Sequence, residues 1–205
     1  MSVTGDRILL LMNNASIGPE KLSEMMKIGL MTLKRYTDGY NEPTAEDLTK
    51  LSVIFGVPVG YITGETDAPE LSEPMSRLPV FKDFPKKPGD GAGEELNPVE
   101  SISASSGTED MRNCFFVIID NDDMRAAKIN KGDRVLINPD KSIVSGDLAA
   151  VSIDGAPPVI RRVYFDGPVI LLNTEGKKPE SVEYDSAKTE IKFLGSVVFA
   201  ISRPV

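Results

Sequence analysis

CFFVIIDNDDM (residues 114–124), KGDRVLINPD (131–140), SGDLAAVSIDG (145–155) and PPVIRRV (157–163) follow one another with few residues between them. Three apolar runs stand out: Cys114 to Ile119, Arg134 to Ile137 and Leu148 to Ile153. Each is short, rich in Val, Ile, Leu or Phe, and bounded by Gly-Asp or Asn-Pro-Asp turn residues. That is how packed β-strands read, whereas helices need longer stretches with a period near 3.6. The second half of the chain is therefore expected to be a compact, mostly β domain.

The acidic end of the first run, Asp120-Asn121-Asp122-Asp123, suggests two chemistries, and both fail on the residues. A calcium loop of EF-hand type needs an acidic or amide ligand at its fifth position, Gly at its sixth and Glu at its twelfth. Those positions hold Met124, Arg125 and Lys131. An acid/base pair fails because Asp122 and Asp123, as neighbours in extended chain, would point to opposite faces and share no proton.

Composition narrows the classes further. The 205 residues leave room for one or two domains. No early apolar signal segment and no apolar run near ~18 residues is present, so neither secretion nor a membrane span is expected. The one cysteine, Cys114, lies inside an apolar run and reads as a buried core thiol in a reducing compartment. The chain has no histidine, which removes the commonest general base and metal ligand together. Zinc sites and Ser-His or Cys-His catalysis are thus excluded, and no cofactor is expected. KKPGDGAG (86–93) is Gly-rich but lacks both the Gly-Lys-Ser/Thr ending of a P-loop and GxGxxG spacing, so it is not read as a phosphate site. Net charge is −8, with its acidity concentrated in residues 66–109, where 4 basic residues face 9 acidic ones. This balance lends nothing to nucleic-acid binding, which has to rest on motif alone.

Outward from the β region, residues 4–64 show helical periodicity with short breaks. Ile8, Leu11 and Met12 share a face of a first helix ending by Asn14. Gly18-Pro19 opens a second, with Leu22, Met25 and Met26 inward. After a break at Lys27 to Gly29, a third helix runs from Leu30 to Thr37 and is closed by Asp38-Gly39. Pro43-Thr44 begins a fourth with a Leu48, Leu51, Ile54 stripe, and Val59 to Ile62 completes a five-helix domain. Glu65 to Arg77, ETDAPELSEPMSR, is acidic and Pro-containing and reads as a flexible linker. YFDGPVILLNTEG (164–176) is expected to be a hairpin turning at Asp166-Gly167. The run IKFLGSVVFAI (191–201) is apolar enough to be sticky if left unpaired.

The β region resembles the C-terminal domain of the LexA and lambda-CI family of self-cleaving repressors. In that family a strand ends in Gly-Asp-Ser-Met with Ser as nucleophile, and a Val-Lys-Arg strand supplies the Lys base. Here Asn121-Asp122-Asp123-Met124 and Ile160-Arg161-Arg162-Val163 stand in those places, and Leu171-Leu172-Asn173 matches the phrase after the Lys strand. Asp123 has no hydroxyl, and Arg161 stays protonated at ordinary pH, so neither half of a Ser-Lys dyad is expected to act. Opposite charges at positions the family holds in contact suggest an Asp123–Arg161 salt bridge; a partly buried pair of this kind adds little net stability, though loss of one partner would cost ~3–5 kcal/mol. Ala92-Gly93 matches the bond that cleavable members cut.

The helical third resembles the lambda-repressor-like helix-turn-helix domain. Leu33, Tyr36, Asp38-Gly39 and Pro43 fall in the family's order, as do Gly56-Val57 and Tyr61-Ile62-Thr63-Gly64. The resemblance implies that Leu30 to Thr37 is the recognition helix. Leu30, Met31 and Lys34 would then face bases, with Thr32 and Arg35 nearer the backbone. Phosphates would meet the start of the second helix at Pro19 and Glu20, and Tyr40 and Asn41 after the third. Pro19 replaces a frequent DNA-contacting Gln, and Lys27 the turn Gly.

The combined expectation is a multidomain α + β chain: a helix-turn-helix domain at 1–65, a linker at 66–77, and a LexA-like, signal-peptidase-like domain at 78–205. Its function would be sequence-specific repression of transcription in a temperate phage or prophage maintaining lysogeny, in the bacterial cytoplasm on the nucleoid. Its partners would be operator DNA, a second copy or a larger homo-oligomer, and an antirepressor protein that relieves repression; no membrane is involved. The alternatives are an active self-cleaving repressor using another nucleophile, such as Ser105, Ser106 or Ser142, or a regulator that binds another repressor instead of DNA.

Overall fold

The computed structural model describes residues 2–68, 76–85, 97–104, 111 and 113–202. By internal contacts the chain divides into two compact units, Met1–Leu78 with Ser101–Arg112 and Ile201–Val205, and Pro79–Glu100 with Asn113–Ala200.

The helical part holds α1 (Val3–Ala15), α2 (Pro19–Met26), α3 (Leu30–Thr37), α4 (Ala45–Phe55) and α5 (Val59–Thr63). Local chemistry sets the ends. The Ser2 hydroxyl accepts from the Gly5 amide at 3.2 Å, and Thr44 Oγ1 accepts from the Asp47 amide at 3.1 Å. Each such cap is worth about 1 kcal/mol. Pro19 takes the first helical position of α2, where a missing N–H does no harm. Ile8, Leu22, Met26, Leu33, Leu51 and Ile62 are fully buried in one core. Among the described residues no helix is long and apolar enough to cross a membrane.

The rest is mostly β: β1 (Ser76–Phe81), β2 (Glu100–Ala104), β3 (Phe115–Ile118), β4 (Arg134–Asn138), β5 (Leu148–Ile153), β6 (Val159–Asp166), β7 (Val169–Asn173), β8 (Ser181–Asp185) and β9 (Ile191–Ile201). They form a sheet in the order β2-β1-β3-β4-β9-β5-β6-β7-β8. The three apolar runs that opened the sequence reading are β3, β4 and β5, and all five residues of β4 are buried.

The β6–β7 turn departs from expectation, and β9 is irregular. The β6–β7 register pairs Asp166 with Val169, so the turn is Gly167-Pro168 and not Asp166-Gly167. Gly167 takes the positive φ, 57°, that the first central position of a type II′ turn demands, and proline's fixed φ suits the second. In β9, Ala150 pairs with Gly195 and Val151 with Phe193, leaving Leu194 as a bulge. A Cβ at Gly195 would stand 2.7 Å from Asn138 O, so only glycine lets β9 approach that carbonyl.

Of the span read as a linker, the Thr66 amide donates to Gly60 O at 3.1 Å and Asp67 pairs with Arg7 at 2.5 Å, while Ser76 and Arg77 stand in β1. Residues 69–75 lie outside the described ones, as do Ala92-Gly93, Ser105 and Ser106.

Candidate functional site

Asp123 and Arg161 come together. Arg161 Nη2 lies 3.0 Å from Asp123 Oδ2, with 17% of the Arg161 side chain and 42% of the Asp123 side chain exposed. Arg161 sits on β6 opposite Ala149 of β5. Its Nη1 donates to Ile160 O at 2.7 Å.

Asp123 is carried on a turn, not on extended chain. Asn121 Oδ1 accepts from the Asp123 amide at 3.0 Å, an Asx-type turn that a sequence of Asp and Asn favours. The chain then enters a short 3₁₀ turn, Arg125–Ala127. The premise of alternating faces for Asp122 and Asp123 therefore does not hold, yet the carboxylates still diverge. Asp122 Oδ1 accepts from the Lys131 amide at 2.9 Å, away from the Arg161 contact.

A second segment holds this turn in place. The Glu175 amide donates to Asp123 O and the Ala126 amide donates to Glu175 O, both at 2.7 Å. Gly176 packs so closely that a Cβ there would lie 3.3 Å from Asp122 O. Arg162, the neighbour of Arg161 on β6, grips the Glu175 carboxylate through Nε and Nη2 and donates from Nη1 to Gly146 O at 2.7 Å. The Glu175 carboxylate raises the Arg162 pKa above its ordinary value. Nothing in the sequence reading reached Glu175: it is 13 positions from its partner, with no local pattern linking them.

A cavity of about 950 Å³ has Met124 and Ile160, the chain neighbours of Asp123 and Arg161, among its walls with Phe84, Val117, Ile119 and Ile129. The β6–β7 pairing starts at Arg162, so β7 leaves Val159 to Arg161 uncovered on that side. Chemically, the Asp123–Arg161 couple offers a fixed negative and a fixed positive charge. A guanidinium does not shed its proton near neutral pH, and a carboxylate is a poor nucleophile toward an amide. Ser142 is exposed on the loop before β5. Among the described residues no group of three or more Cys, Asp or Glu is placed to hold a metal ion.

In the helical unit, Leu33 and Tyr36 point into the core, and Met31, Lys34 and Arg35 are exposed on α3. Leu30 and Thr32 are half-buried, and Tyr40, at 80% exposure, stands out after the helix beside exposed Asn41. The Tyr40 and Asn41 amides both donate to Arg35 O, so only their side chains can still donate to an outside partner. At the start of α2, Pro19 brings no N–H, and the Leu22 amide is already bonded to Gly18 O at 2.9 Å. The exposed Glu20 and its neighbour Lys21 carry the amides left at that terminus.

A family model described as Peptidase S24-like matches residues 87–198, more than half of the chain. A LexA repressor from Oceanobacillus iheyensis is 29% identical over 105 residues, which cover 51% of this chain and 47% of that protein. The match thus spans about half the length of that relative.

Proposed function

The chain belongs to the Peptidase S24-like family, and from that premise we propose that it is a sequence-specific DNA-binding repressor of transcription in a temperate phage or prophage. Residues 1–65 form the helix-turn-helix domain, 66–77 the connection, and 78–205 a LexA-like domain that dimerises without cutting itself. The observation that carries this reading is the Asp123–Arg161 ion pair at 3.0 Å, in the two places where the resemblance puts the serine nucleophile and the lysine base. With a carboxylate for the hydroxyl and a guanidinium for the amine, the hydroxyl nucleophile and the amine base of a Ser-Lys dyad are both missing.

The relative named as a LexA repressor supports the repressor part. On the helical unit, Leu30, Met31 and Lys34 of α3 would meet base edges, and Thr32 and Arg35 the backbone beside them. Pro19, Glu20, Tyr40 and Asn41 flank that face and would stand near phosphates. Since self-cleavage offers no route to induction, relief would come from an antirepressor protein that blocks DNA binding or breaks the oligomer. The setting is the bacterial cytoplasm, on the nucleoid.

Two measurements test this. Incubated at alkaline pH and followed on a gel, the purified chain is expected to stay whole; two fragments would instead indicate a self-cleaving enzyme using Ser105, Ser106 or Ser142. A footprint on DNA flanking its own gene is expected. Its absence, with capture of another repressor, would make the protein a regulator of that repressor.

A further inference from the structure

The last turn of α3 is fastened on two sides. On one side, α1 approaches so closely at Gly5 that a Cβ there would stand 2.6 Å from Thr37 O and 2.8 Å from Tyr36 O. On the other, Tyr36 reaches the first turn of α4. Its Oη donates to Asp47 Oδ2 at 2.8 Å, with both residues buried. Asp47 is itself held: its amide bonds Thr44 Oγ1 at 3.1 Å, and its Oδ1 lies 3.6 Å from Lys50 Nζ, which also meets Glu46 at 2.6 Å. Leu33, one turn earlier, is an apolar contact that tolerates small rotations of the helix. The Tyr36 hydroxyl is directional and does not. All of the exposed residues read as facing DNA from α3 depend on the angle so fixed.

We propose that Tyr36, through its hydrogen bond to Asp47, is a positioning residue that sets the angle at which α3 meets DNA and thereby its sequence discrimination. This rests on the reading of α3 as the recognition helix. The hydroxyl touches no base. It acts through Met31 and Lys34, whose directions change if α3 turns about its own axis.

The test uses the full chain and the duplex it selects from a random DNA pool, with a scrambled duplex as control. Partial unfolding lowers apparent affinity for both duplexes by the same factor, because only the competent fraction binds. Misaimed side chains lower the ratio between them. Tyr36→Phe is expected to reduce that ratio roughly tenfold, about what one base-edge contact contributes, at a temperature where circular dichroism shows it folded. Asp47→Asn keeps an acceptor for the hydroxyl and should stay near the wild-type ratio. Asp47→Ala removes the acceptor and should match Tyr36→Phe, which covers the case in which the phenylalanine variant does not fold. A wild-type ratio in Tyr36→Phe or in Asp47→Ala overturns the proposal. A wild-type chain that selects no duplex overturns the recognition-helix reading instead.

Discussion

Arg161 keeps 17% of its side chain exposed and Asp123 keeps 42%, so the two lose different amounts when the other is removed. The half-exposed carboxylate is screened by water, which moves the pair away from the buried limit of ~3–5 kcal/mol and toward the surface range of ~0.2–1 kcal/mol. Asp123→Ala and Arg161→Ala, made singly and together, are expected to show a coupling near 1 kcal/mol in denaturant unfolding; strictly additive effects would mean the pair contributes nothing. Glu175→Ala should cost more, about 2–3 kcal/mol, since it strips a two-pronged bond from Arg162, whose side chain is 26% exposed, and loosens the turn bearing Asp123. If Glu175→Ala proves milder than Asp123→Ala, the turn is not held by that grip. The buried Tyr36 phenol gives the residue scale its pH dependence. Burial first, then the Asp47 carboxylate, pushes its pKa up to about 12 from an ordinary value of 10.0. The fold favours the protonated form, so this stabilisation is whole below pH about 10 and is lost as pH rises toward about 12, on the order of 2–3 kcal/mol in all. Unfolding titrations of wild type and Tyr36→Phe should converge over that window, because the phenylalanine has no proton to lose.

At the scale of elements, glycine contacts give the clearest expectation. Gly5 lies within α1, where alanine is intrinsically better by roughly 1 kcal/mol. Its added methyl, however, would meet the backbone oxygens of Thr37 and Tyr36 at 2.6 and 2.8 Å, and backbone cannot swing aside as a side chain can. Gly5→Ala is therefore expected to destabilise by about 1–3 kcal/mol; a raised melting temperature would show that α1 and α3 are less tightly apposed. Such contacts mark the limit of what sequence makes legible. Five helices, the starts of two of them at Pro19 and Thr44, and strands β3 to β5 could be read in advance, because periodicity and turn chemistry are local. The Leu194 bulge, the Gly5 apposition and the Arg162–Glu175 grip could not, since each depends on which distant backbone arrives beside it. The Asp123–Arg161 contact was within reach across 38 positions (161 − 123) only because a family resemblance supplied the juxtaposition. Physical pattern alone gave an acidic turn and a basic strand, with nothing to join them.

For the whole molecule, the decisive quantity is how few cations the helical domain can offer to DNA. Residues 1–65 contain 6 basic residues against 8 acidic ones. Two of the six are engaged within the fold: Arg7 stacks over Tyr61 and pairs with Asp67, and buried Lys50 pairs with Glu46 and Asp47. At most four of the six can therefore be offered to DNA by each copy. Counterion release supplies much of the affinity of any DNA-binding protein, so one copy alone would hold DNA weakly. Two copies on adjacent half-sites would double the contacts and join them through one assembly, which is why the proposed repressor requires a dimer. Eight cations also set a ceiling on salt dependence. The slope of log K against log salt is expected to be no steeper than about −7, at roughly 0.9 per phosphate neutralised. Fluorescence anisotropy at stepped salt, with protein concentration varied at each step, would measure the slope and show whether binding follows the concentration of dimer. A steeper slope would mean that basic residues outside 1–65 reach the DNA. First-power dependence on monomer with full affinity would remove the need for a second copy.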